Sequence, residues 1–154
     1  MTQATACMAQ AEVHSRQISN DDEVFLSRFE DCTLPASAWT HFAHIRIAWL
    51  YLAQDDPDTA LKRICGGILR YNTEVLLRRH KYHETVTVAF ARIVSDRMQA
   101  LQTWQQFTDG IDDILDPATP VLMTYYSGEP LFSDEARQNF VEPDIRHLPA
   151  FRLF

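Results

Sequence analysis

Glycine and cysteine are both scarce in this chain of 154 residues, and each scarcity excludes a kind of site. The four glycines are too few for a phosphate-binding loop or a dinucleotide-binding fingerprint, because both need several glycines at fixed spacing. Cys7, Cys32 and Cys65 are widely spaced and form no CxxC pair. This pattern excludes a disulfide framework and a thiolate zinc site, and it favours reduced thiols in a cytoplasmic protein.

Long apolar runs are also missing. The longest, Ile47 to Ala53, is far shorter than the roughly 20 residues that cross a bilayer, and residues 1–19 lack the basic and apolar regions of a signal peptide. Basic residues number 14 against 21 acidic ones, which gives a net charge of −7. Nucleic acids and anionic membranes attract clustered Lys and Arg, so we expect neither as a partner.

What the sequence does contain is typical of one helical domain. Hydrophobic residues make up 46% and charged residues 23%, apolar residues recur with a helical period, and strand-like alternation is scarce. We predict an all-α, single-domain bundle of five or six helices over residues 20–154, with one buried central helix and a mobile N-terminal tail over residues 1–19.

Capping residues and prolines suggest where these helices begin and end. Asn20 to Asp22 would cap the first helix, and Ser37 or Thr40 the second. Gly66-Gly67 lies inside the third and predicts either a kink or the close approach of another backbone. Five longer helices are expected near residues 20–32, 40–54, 57–71, 82–98 and 101–115, and short helical segments near 121–126 and 133–140. From Val141 the chain should wrap the bundle in an extended form.

His41 and His44 are the polar exceptions on the predicted central helix. Their spacing places both imidazoles on one face, one turn apart, where they could chelate a metal ion. His83 and Glu84 open the other strongly apolar helix and could complete the site. Glu84 would be a fourth ligand or the base that acts on metal-bound water. Neighbouring side chains on a helix point about 100° apart, so if only one reaches the metal we expect it to be His83.

Several other polar side chains could line a substrate pocket. Arg137 could bind a substrate carboxylate through both guanidinium donors, or it could pair with Glu135, Glu142 or Asp144. The candidates for substrate binding are Arg46, Tyr51, Asn72, Tyr126 and Arg137.

These residues lead to three hypotheses. The first is a metal-dependent enzyme that hydrolyses a small polar molecule with a zinc or iron ion, with non-haem iron oxygenation as the second chemistry. The second is a metal-free helical module that binds a ligand or uses the histidines as acid and base. The third is a structural or partner-binding protein whose histidines satisfy one another in the core. A homodimer could close a site near the helix N-termini.

The pattern also resembles that of a known group of proteins. The run Trp39-Thr40-His41-Phe42-Ala43-His44 and the run Tyr82-His83-Glu84-Thr85-Val86-Thr87 resemble a family of small helical bacterial proteins without an established activity. The resemblance covers about residues 25–150 and implies a pattern but no reaction. The chain resembles more loosely the DinB-like bundles, which hold a metal with three histidines. Its spacings differ from theirs, so no residue role follows from that likeness.

Overall fold

Eight α-helices lie wholly within residues 17–153, the part of the chain described by this computed structural model, and no strand occurs there. The all-α prediction is confirmed, but five or six helices was too low a number. The residues form one compact body. The helices are α1 (Asn20–Glu30), α2 (His41–Gln54), α3 (Pro57–Glu74), α4 (Glu84–Arg97), α5 (Trp104–Thr108), α6 (Asp112–Leu115), α7 (Gly128–Leu131) and α8 (Asp134–Gln138).

Helix α2 occupies the middle of this body, packed against α1, α3, α4 and α6. From Ile47 to Ala53 every one of its residues is buried, which is the environment that a helix apolar on all sides requires. The Trp49 side chain is completely inaccessible and packs beside Trp104 and Phe107 of α5. Polar groups on α2 therefore depend on partners supplied by the surrounding helices.

The long helices begin at side-chain caps. Thr40, one of the two caps expected for α2, accepts a hydrogen bond from the Ala43 amide at 3.3 Å. Asp56 caps α3, with Pro57 in the first turn. Helix α1 differs from the prediction, because its cap is Ser19 rather than a residue from Asn20 to Asp22. Ser19 and Asp22 form a reciprocal capping box.

Helix α3 runs without interruption through Gly66-Gly67. A Cβ atom added at Gly67 would lie 2.8 Å from Cε1 of Phe29, whereas one added at Gly66 would meet nothing within 4 Å. The sequence predicted either a kink or a close approach at these glycines, and Gly67 accommodates a close approach. The approaching group is an aromatic ring rather than a backbone.

The second half of the chain is more broken than its periodicity predicts. The expected helix over residues 101–115 is divided into α5 and α6, with Asp109-Gly110 between them. Residues 121–126 were expected to be helical, and Pro120–Thr124 forms a 3-10 helix there. Helix α7 begins at Gly128, between the expected helices 121–126 and 133–140, where no helix was expected. Each break follows a proline, a glycine or a new cap, so short helices replace one long helix.

Residues 141–153 contain no helix, in keeping with the extended form expected there, and they contact α4. The Arg92 Nε donates to the Pro149 carbonyl at 2.8 Å, and the Arg152 amide donates to Ser95 Oγ at 2.9 Å. Most of the proposed N-terminal tail, residues 1–16, lies outside the described residues. Within residues 17–153 no helix is both long and apolar enough to cross a membrane.

Candidate functional site

A pocket of about 250 Å³ lies where α2, α3 and α4 meet. Both histidines of α2 line it, one turn apart, so the predicted pair does share one cavity. Most of the remaining wall is aliphatic or aromatic. The lining residues are His41, His44, Ile45, Ala48, Ile64, Ile68, Val86, Thr87, Phe90 and Thr119.

The His41 ring is held by a backbone carbonyl across the bundle. Its Nε2 lies 2.8 Å from the oxygen of Ile114 on α6, and its edge packs on the Phe90 ring. A carbonyl can only accept, so Nε2 carries the proton and Nδ1 carries the lone pair. No hydrogen bond to Nδ1 is formed by any residue from 17 to 153.

The His44 ring is held in the opposite tautomer. Its Nδ1 donates to the Thr40 carbonyl at 2.7 Å, and the ring packs on Trp39 with centroids 4.0 Å apart. Burial, with a smaller contribution from the charge of His41, lowers the pKa of His44 to about 4, although the bond to the Thr40 carbonyl opposes this. His44 is therefore neutral at pH 7, and its Nε2 is a hydrogen-bond acceptor.

His83 does not reach this pocket. It is the N-cap of α4, where its Nδ1 accepts from the Val86 amide at 3.3 Å and its Nε2 donates to the Leu131 carbonyl at 2.9 Å. Both ring nitrogens are therefore in use within the fold. Burial, together with the nearby charge of Arg137, lowers the pKa of His83 and favours its neutral form.

Glu84 is also separated from the histidine pair. Its carboxylate accepts a hydrogen bond from the Tyr82 hydroxyl and lines a different cleft, on the outer side of α4. Burial, followed by the bond to Glu84, raises the pKa of Tyr82. The expected four-residue cluster is thus corrected to a pair, because α4 begins after His83 and turns Glu84 away from α2. Within residues 17–153 no group of three or more His, Cys, Asp or Glu could hold a metal ion.

Two of the predicted substrate-binding residues are engaged with other side chains. Arg46 donates to the buried Asp22 carboxylate at 2.6 Å and lies over the Phe25 ring. The Tyr51 hydroxyl donates to Glu30 at 2.9 Å. Neither residue lines the histidine pocket, and both tie α1 to α2.

The other three predicted substrate-binding residues do not line the histidine pocket either. The Tyr126 hydroxyl donates to the Val141 carbonyl at 2.8 Å and so holds the C-terminal segment. Asn72 is buried on α3, and its Oδ1 has no hydrogen-bond partner among residues 17–153. Arg137 lines the same cleft as Glu84.

Sequence reasoning missed much of the pocket wall. Ile45 could have been found, because it lies one helical turn after His41 on the same face of α2. Ile64 and Ile68 of α3 gave no signal beyond ordinary core periodicity. Thr119 reaches the pocket from a left-handed backbone conformation, with φ of 55°, that no local pattern predicts.

Comparisons of this chain with protein-family models, curated proteins and solved structures found no match.

Proposed function

We propose that this chain binds a small, largely apolar molecule that carries a hydrogen-bond donor, in the pocket between α2, α3 and α4. One observation carries the proposal. Two imidazoles line an otherwise apolar pocket, and each has one nitrogen fixed by a backbone carbonyl, so the other nitrogen is an acceptor. An acceptor in apolar surroundings gains most from a ligand that donates to it.

The size and charge of the pocket narrow the ligand class. An apolar cavity of about 150 Å³ holds benzene, so about 250 Å³ suits a single ring with a short substituent. Among residues 17–153, no Lys, Arg, Asp or Glu lines the pocket, and a charged ligand would have to be desolvated there without a counter-ion from these residues. Phenols and small aromatic alcohols or amides fit both conditions.

Binding is better supported than acid–base catalysis. A general base works best when its pKa lies near the working pH, and the pKa of His44, about 4, lies well below neutrality. His44 is therefore a weak base but a steady hydrogen-bond acceptor at pH 7. This favours the metal-free binding module among the three hypotheses.

Phenol and toluene test the proposal, because they differ mainly in the donor. We expect phenol to shift the amide resonances of the pocket residues in two-dimensional NMR and to bind more tightly than toluene. His44→Leu should weaken phenol binding about tenfold and remove the preference, since a neutral hydrogen bond in apolar surroundings is lost. His147→Asn alters an exposed histidine that does not line the pocket and should change nothing. Equal binding of phenol and toluene by the unaltered protein would contradict the proposal.

A metal-dependent hydrolase is the second candidate, and one observation favours it. Histidines that bind metals usually donate their other ring N–H to a carbonyl or carboxylate, as His41 and His44 both do. The lowered pKa of His44 keeps its nitrogen available to a cation. A zinc ion held there would supply an activated water for ester or amide hydrolysis, and iron would supply oxygen chemistry. Glu84 lines another cleft and is not part of this arrangement.

Elemental analysis of protein purified without a tag or chelator tests this second candidate. We expect about one equivalent of zinc or iron, lost in His44→Ala and retained in His147→Asn. If the protein contained only trace metal and took up no zinc or iron on addition, the hydrolase would be contradicted. The metal-free binding module would then remain as the proposed function.

A further inference from the structure

A second cleft of about 750 Å³ opens on the outer side of α4, and the function proposed above does not use it. It lies between the end of α3, the 3-10 helix Arg79–Lys81, the start of α4 and α8. Its wall combines apolar and charged side chains, chiefly Leu69, Leu77, Arg79, His80, Glu84 and Arg137.

Arg137 is held at this cleft by the attachment of α8 to α4. The buried Thr85 hydroxyl donates to the Asn139 carbonyl at 2.8 Å and accepts from the Val141 amide at 3.1 Å. These bonds fix the end of α8 against the first turn of α4. From there Arg137 Nη1 donates to the His80 carbonyl at a long 3.4 Å, its only side-chain hydrogen bond to the part of the chain that the structure describes. Most of the guanidinium donors are therefore available to a ligand.

The two arginines of the cleft have no acidic partner within the described residues. Four other arginines form ion pairs, namely Arg46, Arg63, Arg97 and Arg152, but neither Arg79 nor Arg137 lies within 4.0 Å of a carboxylate there. Asp144, one expected partner of Arg137, accepts instead from Ser127 at 2.8 Å and 2.5 Å. Unpaired guanidinium groups in a chain of net charge −7 make a local positive region.

Leu77 gives the cleft an exposed apolar wall. Its side chain is 80% exposed and its backbone has φ of 55°, a left-handed conformation that is unfavourable for leucine. The residues between α3 and the 3-10 helix thus hold an aliphatic side chain open to solvent beside two cations. A ligand that contacts both the leucine side chain and the two arginines needs an apolar body and an anionic group.

We propose that this cleft binds a small organic carboxylate, with its anionic group on Arg79 and Arg137 and its apolar body on Leu69 and Leu77. Guanidinium forks match the two oxygens of a carboxylate. Glu84 also lines the cleft, with its carboxylate bonded to Tyr82, and its charge disfavours a doubly charged phosphate relative to a singly charged carboxylate.

Calorimetric titration with benzoate, phenyl phosphate and benzyl alcohol tests this site on the whole chain. The titrations use the His44→Leu variant, because benzyl alcohol would otherwise also bind in the histidine pocket. We expect benzoate to bind more tightly than phenyl phosphate, and benzyl alcohol to bind more weakly than both. Arg137→Gln should weaken benzoate binding about tenfold or more, because charge-assisted hydrogen bonds are lost. Arg78→Gln is the matched control, since Arg78 directly precedes Arg79 in the chain, is exposed and does not line the cleft.

Three results would overturn the proposal or part of it. Equal loss in Arg137→Gln and Arg78→Gln, at unchanged melting temperature, would show attraction by general charge rather than a site. Binding of benzyl alcohol as tight as that of benzoate would remove the role of the arginines. Tighter binding of phenyl phosphate would overturn the carboxylate assignment in favour of phosphate. Phenol binding at the histidine pocket should survive Arg137→Gln, which separates failure here from failure of the function proposed above.

Discussion

Protonation of His44 would place a positive charge among the apolar side chains of the pocket, and burial lowers its pKa to about 4 for this reason. His41 stands on the same wall and adds to the effect, because two neighbouring imidazoles resist being charged together. The neutral form is the one that the Thr40 carbonyl orients. The pocket therefore keeps the acceptor nitrogen of His44 across the pH range in which cells work.

The low pKa of His44 makes stability depend on pH with a definite sign. Its folded pKa is depressed below its unfolded value of 6.5, so the unfolded chain binds the proton more readily. Stability should be greatest above pH 6.5 and fall between pH 6.5 and about 4, by at most about 3 kcal/mol. Urea denaturation should show this slope in the unaltered protein and a smaller one in His44→Leu. An NMR titration midpoint of His44 near 6.5 would contradict the expectation.

The two adjacent glycines of α3 should respond to the same substitution in opposite directions. Gly66→Ala adds a methyl group in open space and should stabilise the helix by up to about 1 kcal/mol. Gly67→Ala drives its Cβ into Phe29, which is fully buried and packed against Trp39 and Tyr71.

We expect this overpacking at Gly67 to cost about 1–3 kcal/mol, which outweighs the gain in helix propensity. Thermal unfolding of both variants measures the difference. A higher melting temperature for Gly67→Ala would show that the Phe29 ring moves aside freely.

How helices begin explains what the sequence could and could not predict about the site. The pairing of His41 with His44 followed from helical spacing alone, because both lie inside α2. The place of His83 and Glu84 depended on whether α4 starts before or after them, and local pattern does not fix a helix boundary to within two residues. A histidine acting as an N-cap, bonded on both nitrogens, is not visible in the sequence.

The same contrast holds between the two halves of the fold. The long helices α1 to α4 were predictable, because their apolar periodicity extends over several turns. Of the short helices after Leu101, α8 was predicted, because Ser133 caps it within the expected range 133–140. The break between α5 and α6 and the position of α7 were not, because they depend on tertiary contacts rather than on propensity. The two clefts arise where separate helices meet, so residues such as Ile64 and Arg137 could not be assigned to them from spacing along the chain.

The C-terminal segment should contribute to the stability of the whole molecule through one buried side chain. Leu148 is 6% exposed and belongs to the core, whereas Ile145 of the same segment is 58% exposed. We expect Leu148→Ala to cost about 2–3 kcal/mol, from lost burial and the cavity left behind.

Ile145→Ala is the matched control and should change stability by less than about 0.5 kcal/mol. Urea denaturation gives both values. Equal, small effects would show that the segment can leave α4 without unfolding the bundle.

The stacking of His44 on Trp39 gives the pocket an optical reporter of its own. An imidazolium in contact with an indole ring quenches its fluorescence, whereas a neutral imidazole does so far less. Trp39 emission should therefore dim as His44 takes up its proton. It should also change when a ligand displaces or orients the His44 ring. Replacing Trp49 and Trp104 by phenylalanine would leave Trp39 as the sole emitter, so occupancy and protonation of this pocket could be followed in a fluorimeter without any label.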